Sequence, residues 1–404
     1  MRDHGTRGGT DWAALRARFH LPDSIVYLDG NSLGPLPRAV PERVRRTVED
    51  EWGEMLIRGW NEAGWMEWPA RLGDRIGRLI GASGGATVVG DTLSIKVYQA
   101  LDAALRLRPG RRVILSDSGN FPTDLYMAEG LIAALDRGHE LRVVAPEAVA
   151  EAIDGDTAVL MLTQVDYRTG RLHDMADLTA RAHAAGALTI WDLAHSAGAL
   201  EIDVTGADAD FAVGCTYKYL NAGPGAPAFV YVRPDLHDAI APALSGWLGH
   251  AAPFAFDPSY RPGPGITRMR VGTPPVLQLA ALEAALDIWD DVDMGDLRAR
   301  SLALCDRFVG GVAARCPDLV PALPPGTARG SQVSFRHPEG YAVMQALIAR
   351  GVIGDFRAPD ILRFGFTPLF IGEAEVDAAV AAVADILETA AWDRPEYRTR
   401  KAVT

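Results

Sequence analysis

The chain reads as an α/β protein, a mostly parallel sheet covered by helices, with a smaller α+β unit at the C-terminal end. Two patterns lead there. From about residue 85 to 285, short apolar runs alternate with amphipathic helical ones, which is how strands and covering helices succeed one another in a parallel sheet. After about Leu277 two helical stretches come together, followed by two strand candidates and a closing helix. That order belongs to an α+β unit.

The strand candidates of the first region are RVILSD, LRVVAP, TAVLMLTQV, ALTIWDL, DFAVGCT and PAFVYV. Helices are expected between them, among them Leu93 to Leu105, with apolar Leu93, Val97, Leu101 and Leu105 one turn apart, and Met175 to Ala185, stopped near Gly186. In the second region the helices are Leu277 to Trp289, Leu297 to Ala314 and Glu373 to Ala391, and the strands are SQVSFRH and DILRFGF. The expected division is an N-terminal segment, 1–60, packing on both units, a large unit over 61–285 and a small one over 286–404.

Composition narrows the function. The 404 residues carry a formal net charge of −12 with no Lys/Arg run, which speaks against nucleic acid as a partner. Cys215, Cys305 and Cys316 are odd in number and lack CxxC spacing, so neither a disulfide framework nor a metal site is expected, and a reducing compartment fits. The start, MRDHGTRGGTDW, has no apolar leader, and no run approaches the roughly 20 apolar residues that cross a bilayer. The expectation is a cytoplasmic protein with no membrane partner.

One stretch asks for a chemical explanation: VGCTYKYLNAGPGAP, Val213 to Pro227. Lysine stands at only three positions, Lys96, Lys218 and Lys401, among 40 basic residues, yet Lys218 lies in this otherwise uncharged run. A primary amine can lose its proton and attack a carbonyl, and a guanidinium cannot. In open α/β sheets ligands sit beyond the carboxyl ends of the strands. ALTIW ends in Asp192, with His195 three residues on; DFAVGCT runs into Tyr217 and Lys218; RVILSD leads to Phe121, Thr123 and Asp124. The helix that begins at Leu93 after GDT offers first-turn N–H groups and hydroxyls for a phosphate.

These parts match the needs of pyridoxal 5'-phosphate. Lys218 is the amine for its aldehyde, Asp192 the carboxylate for its ring nitrogen, Phe121 or His195 a stacking partner, and Thr92, Leu93 and Ser94 the phosphate end, with Tyr217 nearby. Singly each has a plainer reading, as a cap, a turn former or a packed core histidine. Their joint order along a parallel sheet carries the inference. No GxxxxGK[ST], HExxH or helix-opening GxGxxG occurs, which leaves nucleotide and zinc-protease readings without support.

YLDGNSLGPLP, DTLSIKVYQAL, GNFPTDLY, VDYRTGRLHDM, WDLAHSAGA, CTYKYLNAGPGAPAF, SGWLGHAAPFAFDP and GDFRAPDILRFGFTPLF together resemble the kynureninase family, fold-type I pyridoxal-phosphate enzymes close to the class V aminotransferases. The resemblance implies a homodimer with shared active sites that hydrolyses L-kynurenine to anthranilate and L-alanine in tryptophan breakdown. It assigns Lys218, Asp192 and Tyr217 to catalysis. Leu93, Ser94, Phe121, Pro122, Thr123, Asp124, Thr163, His195, Trp247 and Thr273 join those three as cofactor contacts, Trp247 reaching in from the other subunit. Arg363 matches the arginine for the substrate carboxylate. Trp60, Gly272 and Thr273 fall near the aryl ring, where their lack of polar reach favours L-kynurenine over 3-hydroxy-L-kynurenine. Trp65 and Trp68 are alternatives to Trp60 as a wall of that pocket, and core packing is expected for at least one of the three. The rival enzyme readings are a cysteine desulfurase or a class V aminotransferase; the rival of another class is a non-catalytic cofactor-binding protein.

Overall fold

The structure, a computed structural model, describes residues 10–401. Its centre is a sheet of seven strands: β1 Thr87–Val89, β2 Val113–Asp117, β3 Glu140–Val144, β4 Thr157–Thr163, β5 Leu188–Asp192, β6 Phe211–Gly214 and β7 Phe229–Val232. They lie in the order β1-β7-β6-β5-β4-β2-β3. All six strand candidates of the large region are here. Parallel pairing joins β3, β2, β4, β5 and β6, while β7 runs antiparallel to both neighbours. The reason is local: no helix separates β6 from β7, and without a crossover the chain can only turn back.

The period-two alternation of the strands divides the core in two. Ile114, Met161, Ile190 and Val213 face one side, packed with Val97 and Leu101 of helix Leu93–Leu107 and Ala128 and Leu131 of helix Pro122–Leu135. Leu115, Leu162, Trp191 and Ala212 face the other, packed with Leu72 and Ile76 of helix Trp68–Leu79, Leu178 of helix Met175–Ala184, and Leu279 of helix Val276–Leu286. In chain order these helices are α1 (68–79), α2 (93–107), α3 (122–135), α4 (175–184) and α5 (276–286). The expected helix to Trp289 ends as α5 at Leu286 and continues as a tighter turn, Asp287–Asp291.

Beyond α5 the α+β unit holds α6 Met294–Arg315, α7 Gly340–Ala349 and α8 Glu373–Glu388 beside an antiparallel sheet. Its strands are β8 Val320–Pro321, β9 Gln332–Arg336, β10 Asp355–Arg357 and β11 Ile361–Gly365, in the order β8-β9-β11-β10. Upstream, Val26–Tyr27 pairs in parallel with Val352–Ile353, and Phe19–His20 pairs antiparallel with Leu36–Pro37. The YLDGNSLG loop between these pairs therefore lies between the first and last parts of the chain.

Close approach fixes how α1 meets the sheet edge. A Cβ at Gly73 would lie 2.2 Å from the Thr87 carbonyl oxygen and 2.9 Å from the Val88 Cα, and backbone cannot give way as a flexible side chain can. Gly73→Ala is expected to destabilise the protein by about 2 kcal/mol, the usual scale of overpacking. Urea denaturation measures this, and an unchanged midpoint would contradict it.

Candidate active site

The carboxyl ends of the strands gather the chemistry. In register, Thr163 at the end of β4 lies beside Asp192 at the end of β5, and Asp192 beside Val213 of β6. Val89 and Gly214 both lie opposite Phe229 of β7, so α2 starts at the same edge as the turn that carries Lys218.

The Lys218 amine is 3.0 Å from Nε2 of His195. It lies 5.9 Å from the centre of the Phe121 ring and 5.8 Å from that of Tyr217. Phe121 in turn meets Tyr167 edge to face at 5.0 Å. Asp192 is buried, and its Oδ1 accepts the Ala194 N–H at 2.8 Å. Burial pushes its pKa up to about 6 although Lys218 and that N–H oppose the shift. Asp124, in the first turn of α3, is held well above the carboxylate range by burial and then by the charge of Asp192. His195 goes well below the imidazole range because burial, Lys218, Arg363 and Arg357 all disfavour its cation. Among the described residues, Asp124 Oδ2 and His195 Nδ1 are buried with no hydrogen-bond partner. Such groups are costly unless a further partner reaches them.

Gly34 of the YLDGNSLG loop closes against this turn. Its N–H donates to the Tyr217 carbonyl at 2.8 Å, and a Cβ there would stand 2.5 Å from the Lys218 carbonyl oxygen.

A second cluster surrounds Arg363. Its Nε donates to Asp355 Oδ1 at 2.7 Å; Nη2 donates to Asp355 Oδ2 and, at 2.7 Å, to Ser32 Oγ; Nη1 donates to the Tyr167 carbonyl. Arg357 donates to Asp355 Oδ2 at 2.7 Å and to Ser32 Oγ at 3.1 Å. Burial alone would raise the Asp355 carboxyl, but Arg363 and Arg357 hold it low. Burial and the charge of Asp355 push Asp29 up to about 8. Asp355, Ser32, Asp29, Arg357 and Tyr167 were not singled out in the sequence. The available signal was the pairing of GDFR with ILRFG, which sets Asp355 directly opposite Arg363.

At the phosphate end, Thr92 is the N-cap of α2 and makes no side-chain cap bond, and Leu93 and Ser94 form the first turn. Thr163 is buried, its hydroxyl donating to the Val165 carbonyl at 3.2 Å. Pro122 and Thr123 open α3.

Four further expected site residues are exposed or half exposed. Trp247 is 41% exposed beside Phe254, 64%, and Phe256, 78%, and Gly272 and Thr273 are exposed. Trp60 lines a cleft with Trp52, Leu56, Ile57, Val276 and Leu277. Trp65 and Trp68 are buried core residues, Trp65 donating to Glu51 Oε2 at 3.0 Å, so of the three tryptophans only Trp60 is left half exposed.

Known proteins settle the family. The chain is 54% identical to the kynureninase of Burkholderia pseudomallei (strain 1106a) over 400 residues, covering 97% of this chain and 96% of that protein. It is 52% identical to the kynureninase of Pseudomonas fluorescens over the same share of each. The chain belongs to the kynureninase family. The family description Kynureninase C-terminal domain matches residues 297–383, within the α+β part of this kynureninase-family chain. Among solved structures, the cysteine desulfurase CsdA of Escherichia coli has a TM-score of 0.79 at 21% identity, covering 95% of this chain and 100% of that one. A variant of C-DES with glycine covalently linked to its PLP cofactor has a TM-score of 0.78 at 20% identity, covering 92% and 99%. At such identities these two show the fold alone, the fold-type I arrangement. The desulfurase chemistry needs a mobile nucleophilic thiol. Cys215, Cys305 and Cys316 of this kynureninase-family chain are all buried, and burial raises the pKa of each.

The raised pKa of Asp192 has a testable sign. Its folded value of about 6 lies above the ordinary 3.8, so the folded state binds the proton more tightly, and this stabilisation is lost as pH rises through 6. Cofactor-free Asp192→Asn is therefore expected to gain on the wild type by about 1–3 kcal/mol between pH 4 and 7.5. Thermal unfolding across that range measures it; a pH-independent difference would contradict it.

Proposed function

We propose that the protein is a pyridoxal-phosphate-dependent hydrolase that cleaves L-kynurenine, between Cβ and the ketone carbon, into anthranilate and L-alanine. The observation that carries the reading is the Lys218 amine beside His195, Phe121 and Tyr217 at the carboxyl edge, in a chain of this family. The residues fit the cofactor. Asp192 is a buried carboxylate without a cation hydrogen-bonded to it, the α2 cap leaves first-turn N–H groups free for a phosphate, and unpartnered His195 Nδ1 and Asp124 Oδ2 await polar partners. Lys218 would hold the aldehyde, Asp192 the protonated ring nitrogen, and Leu93 and Ser94 the phosphate, with Phe121, Pro122, Thr123, Asp124, Thr163, His195 and Tyr217 around the ring. When bound, pyridoxal phosphate supplies an electron-withdrawing ring that stabilises negative charge at the substrate Cα.

The chain's own groups then divide the work. Arg363 receives the substrate carboxylate, its cationic form favoured by Asp355 against the cost of burial. Lys218 takes the Cα proton as general base. Tyr217, whose phenol is held protonated by burial and the neighbouring Cys215, donates to the ketone oxygen as water adds to that carbon. The bond from the hydrated carbon to Cβ breaks, anthranilate leaves, and the three-carbon remainder takes one proton at Cβ, recovers the Cα proton from Lys218 and departs as L-alanine. Water is consumed and nothing is oxidised.

The expected assembly is a homodimer with shared sites, supported by the exposure of Trp247, Phe254, Phe256, Gly272 and Thr273. In that arrangement Trp247 and Thr273 reach the partner's cofactor, and Trp60, Gly272 and Thr273 border the aryl ring. Three free buried cysteines support a reducing, cytoplasmic setting. Among the described residues no helix is long and apolar enough to cross a membrane.

Incubation with pyridoxal phosphate and L-kynurenine is expected to yield anthranilate and L-alanine in equal amounts, and Lys218→Ala to yield neither. 3-Hydroxy-L-kynurenine in the same assay is expected to show a kcat/KM about five- to 150-fold lower, because its hydroxyl meets no side-chain partner at Gly272. Transamination or sulfur release in place of anthranilate would overturn the reading. Sharing of sites has its own test: Trp247→Ala and Lys218→Ala, each nearly inactive alone, should regain activity when their subunits are exchanged. Verified exchange without recovery would contradict it.

A further inference from the structure

Lys96, one turn into α2, is buried, and its ammonium is fully satisfied. It donates to Asp91 Oδ2 at 2.9 Å, to Gln99 Oε1 at 3.0 Å and to the Met269 carbonyl at 2.8 Å. Three N–H bonds in a tetrahedral head meet three acceptors from three directions, which the planar fork of arginine cannot do. The acceptors belong to different parts of the site. Asp91 lies in the turn between β1 and the Thr92 cap, in the left-handed region at φ +55°. That turn is tied to the start of β7, because Gly90 N–H donates to the Ala228 carbonyl at 2.8 Å and Ala228 N–H to the Asp91 carbonyl at 3.0 Å. Met269 ends the turn Gly265–Met269, from which the chain runs to Gly272 and Thr273. Two residues on, the Val271 carbonyl accepts the Leu248 N–H at 3.3 Å, next to Trp247.

We infer that Lys96 is a positioning residue that fixes the turn opening the phosphate-facing helix to the segment carrying Trp247 and Thr273. The inference rests on the cofactor reading above and deepens it. In a dimer with shared sites, Leu93 and Ser94 serve one cofactor while Trp247 and Thr273 of the same subunit serve the other. Lys96 is then the joint through which the two sites are held in register. The facing charges are Asp91, which favours the ammonium, and Arg270, which opposes it; burial outweighs Asp91 and, with Arg270 adding to it, lowers the Lys96 pKa. Removing the ammonium leaves a partly buried carboxylate and a buried carbonyl without that donor, so the turn that aims the α2 N–H groups relaxes.

The test uses Lys96→Met, of similar length but with no donor, and Asp91→Asn, which keeps an acceptor but removes its charge. Each is freed of cofactor and titrated with pyridoxal phosphate, following the visible absorption of the bound form, with circular dichroism to verify folding. Lys96→Met is expected to raise the cofactor Kd about tenfold or more and Asp91→Asn about threefold. At saturating cofactor, kcat should stay within about threefold of wild type, and Lys96→Arg should fail to restore affinity. A purely structural lysine would lower the unfolding temperature and leave the Kd within about twofold of wild type, and that result would overturn the inference. Should Lys96→Met not fold, the Asp91→Asn titration decides by the same criterion. Failure of the wild type itself to bind pyridoxal phosphate would overturn the functional reading instead.

Discussion

The Arg363 guanidinium, 1% exposed, joins the N-terminal loop, the α+β unit and the segment after β4 through its hydrogen bonds. A buried cation must be met by a counter-charge and by acceptors for its remaining N–H groups, or it costs several kcal/mol. Here the partners come from three distant parts of the chain: Asp355 on the neighbouring strand, Ser32 in the N-terminal loop and the Tyr167 carbonyl after β4. Satisfying one side chain therefore brings the N-terminal loop and the α+β unit to the carboxyl edge of the large sheet. Gly34, two residues past Ser32, can then lie against the Lys218 backbone.

That geometry sets two environments side by side, linked by Tyr167, whose carbonyl meets Arg363 and whose ring meets Phe121. Around Lys218 the groups are buried and under-partnered: Asp192 and Asp124 are raised, and His195 is lowered. Around Arg363 the charges are densely paired, and Asp355 stays low. In the proposed reading the first environment takes the protonated ring of the cofactor and the second the carboxylate of the substrate. An amino acid bound between them would have its amine near Lys218 and its carboxylate near Arg363, which supports Cα chemistry on a substrate of that class.

The interior of the fold was legible in the sequence because most strands of the large sheet are apolar runs, with Asp192 ending one of them and Lys218 four residues past the end of another. What escaped was short or uniform. β1 has three residues, too few to show a period, and α7 buries Tyr341 through Leu347 on every side, so it has no polar face to mark it as a helix. The Asp355–Arg363 pair is a cross-strand contact that needs the register of β10 on β11 before it can be seen. Lys96 and Lys218 both occur in largely uncharged stretches. The three acceptors around the Lys96 ammonium, against the single His195 contact of Lys218, separate the two lysines.

The central claim is that Lys218 is the reactive amine of this crevice. Borohydride reduction of the cofactor-loaded protein, followed by peptide mapping, tests it most directly. Phosphopyridoxyl label is expected on the peptide containing Lys218 and none on those containing Lys96 or Lys401; label on Lys96 with Lys218 unmodified would contradict the assignment.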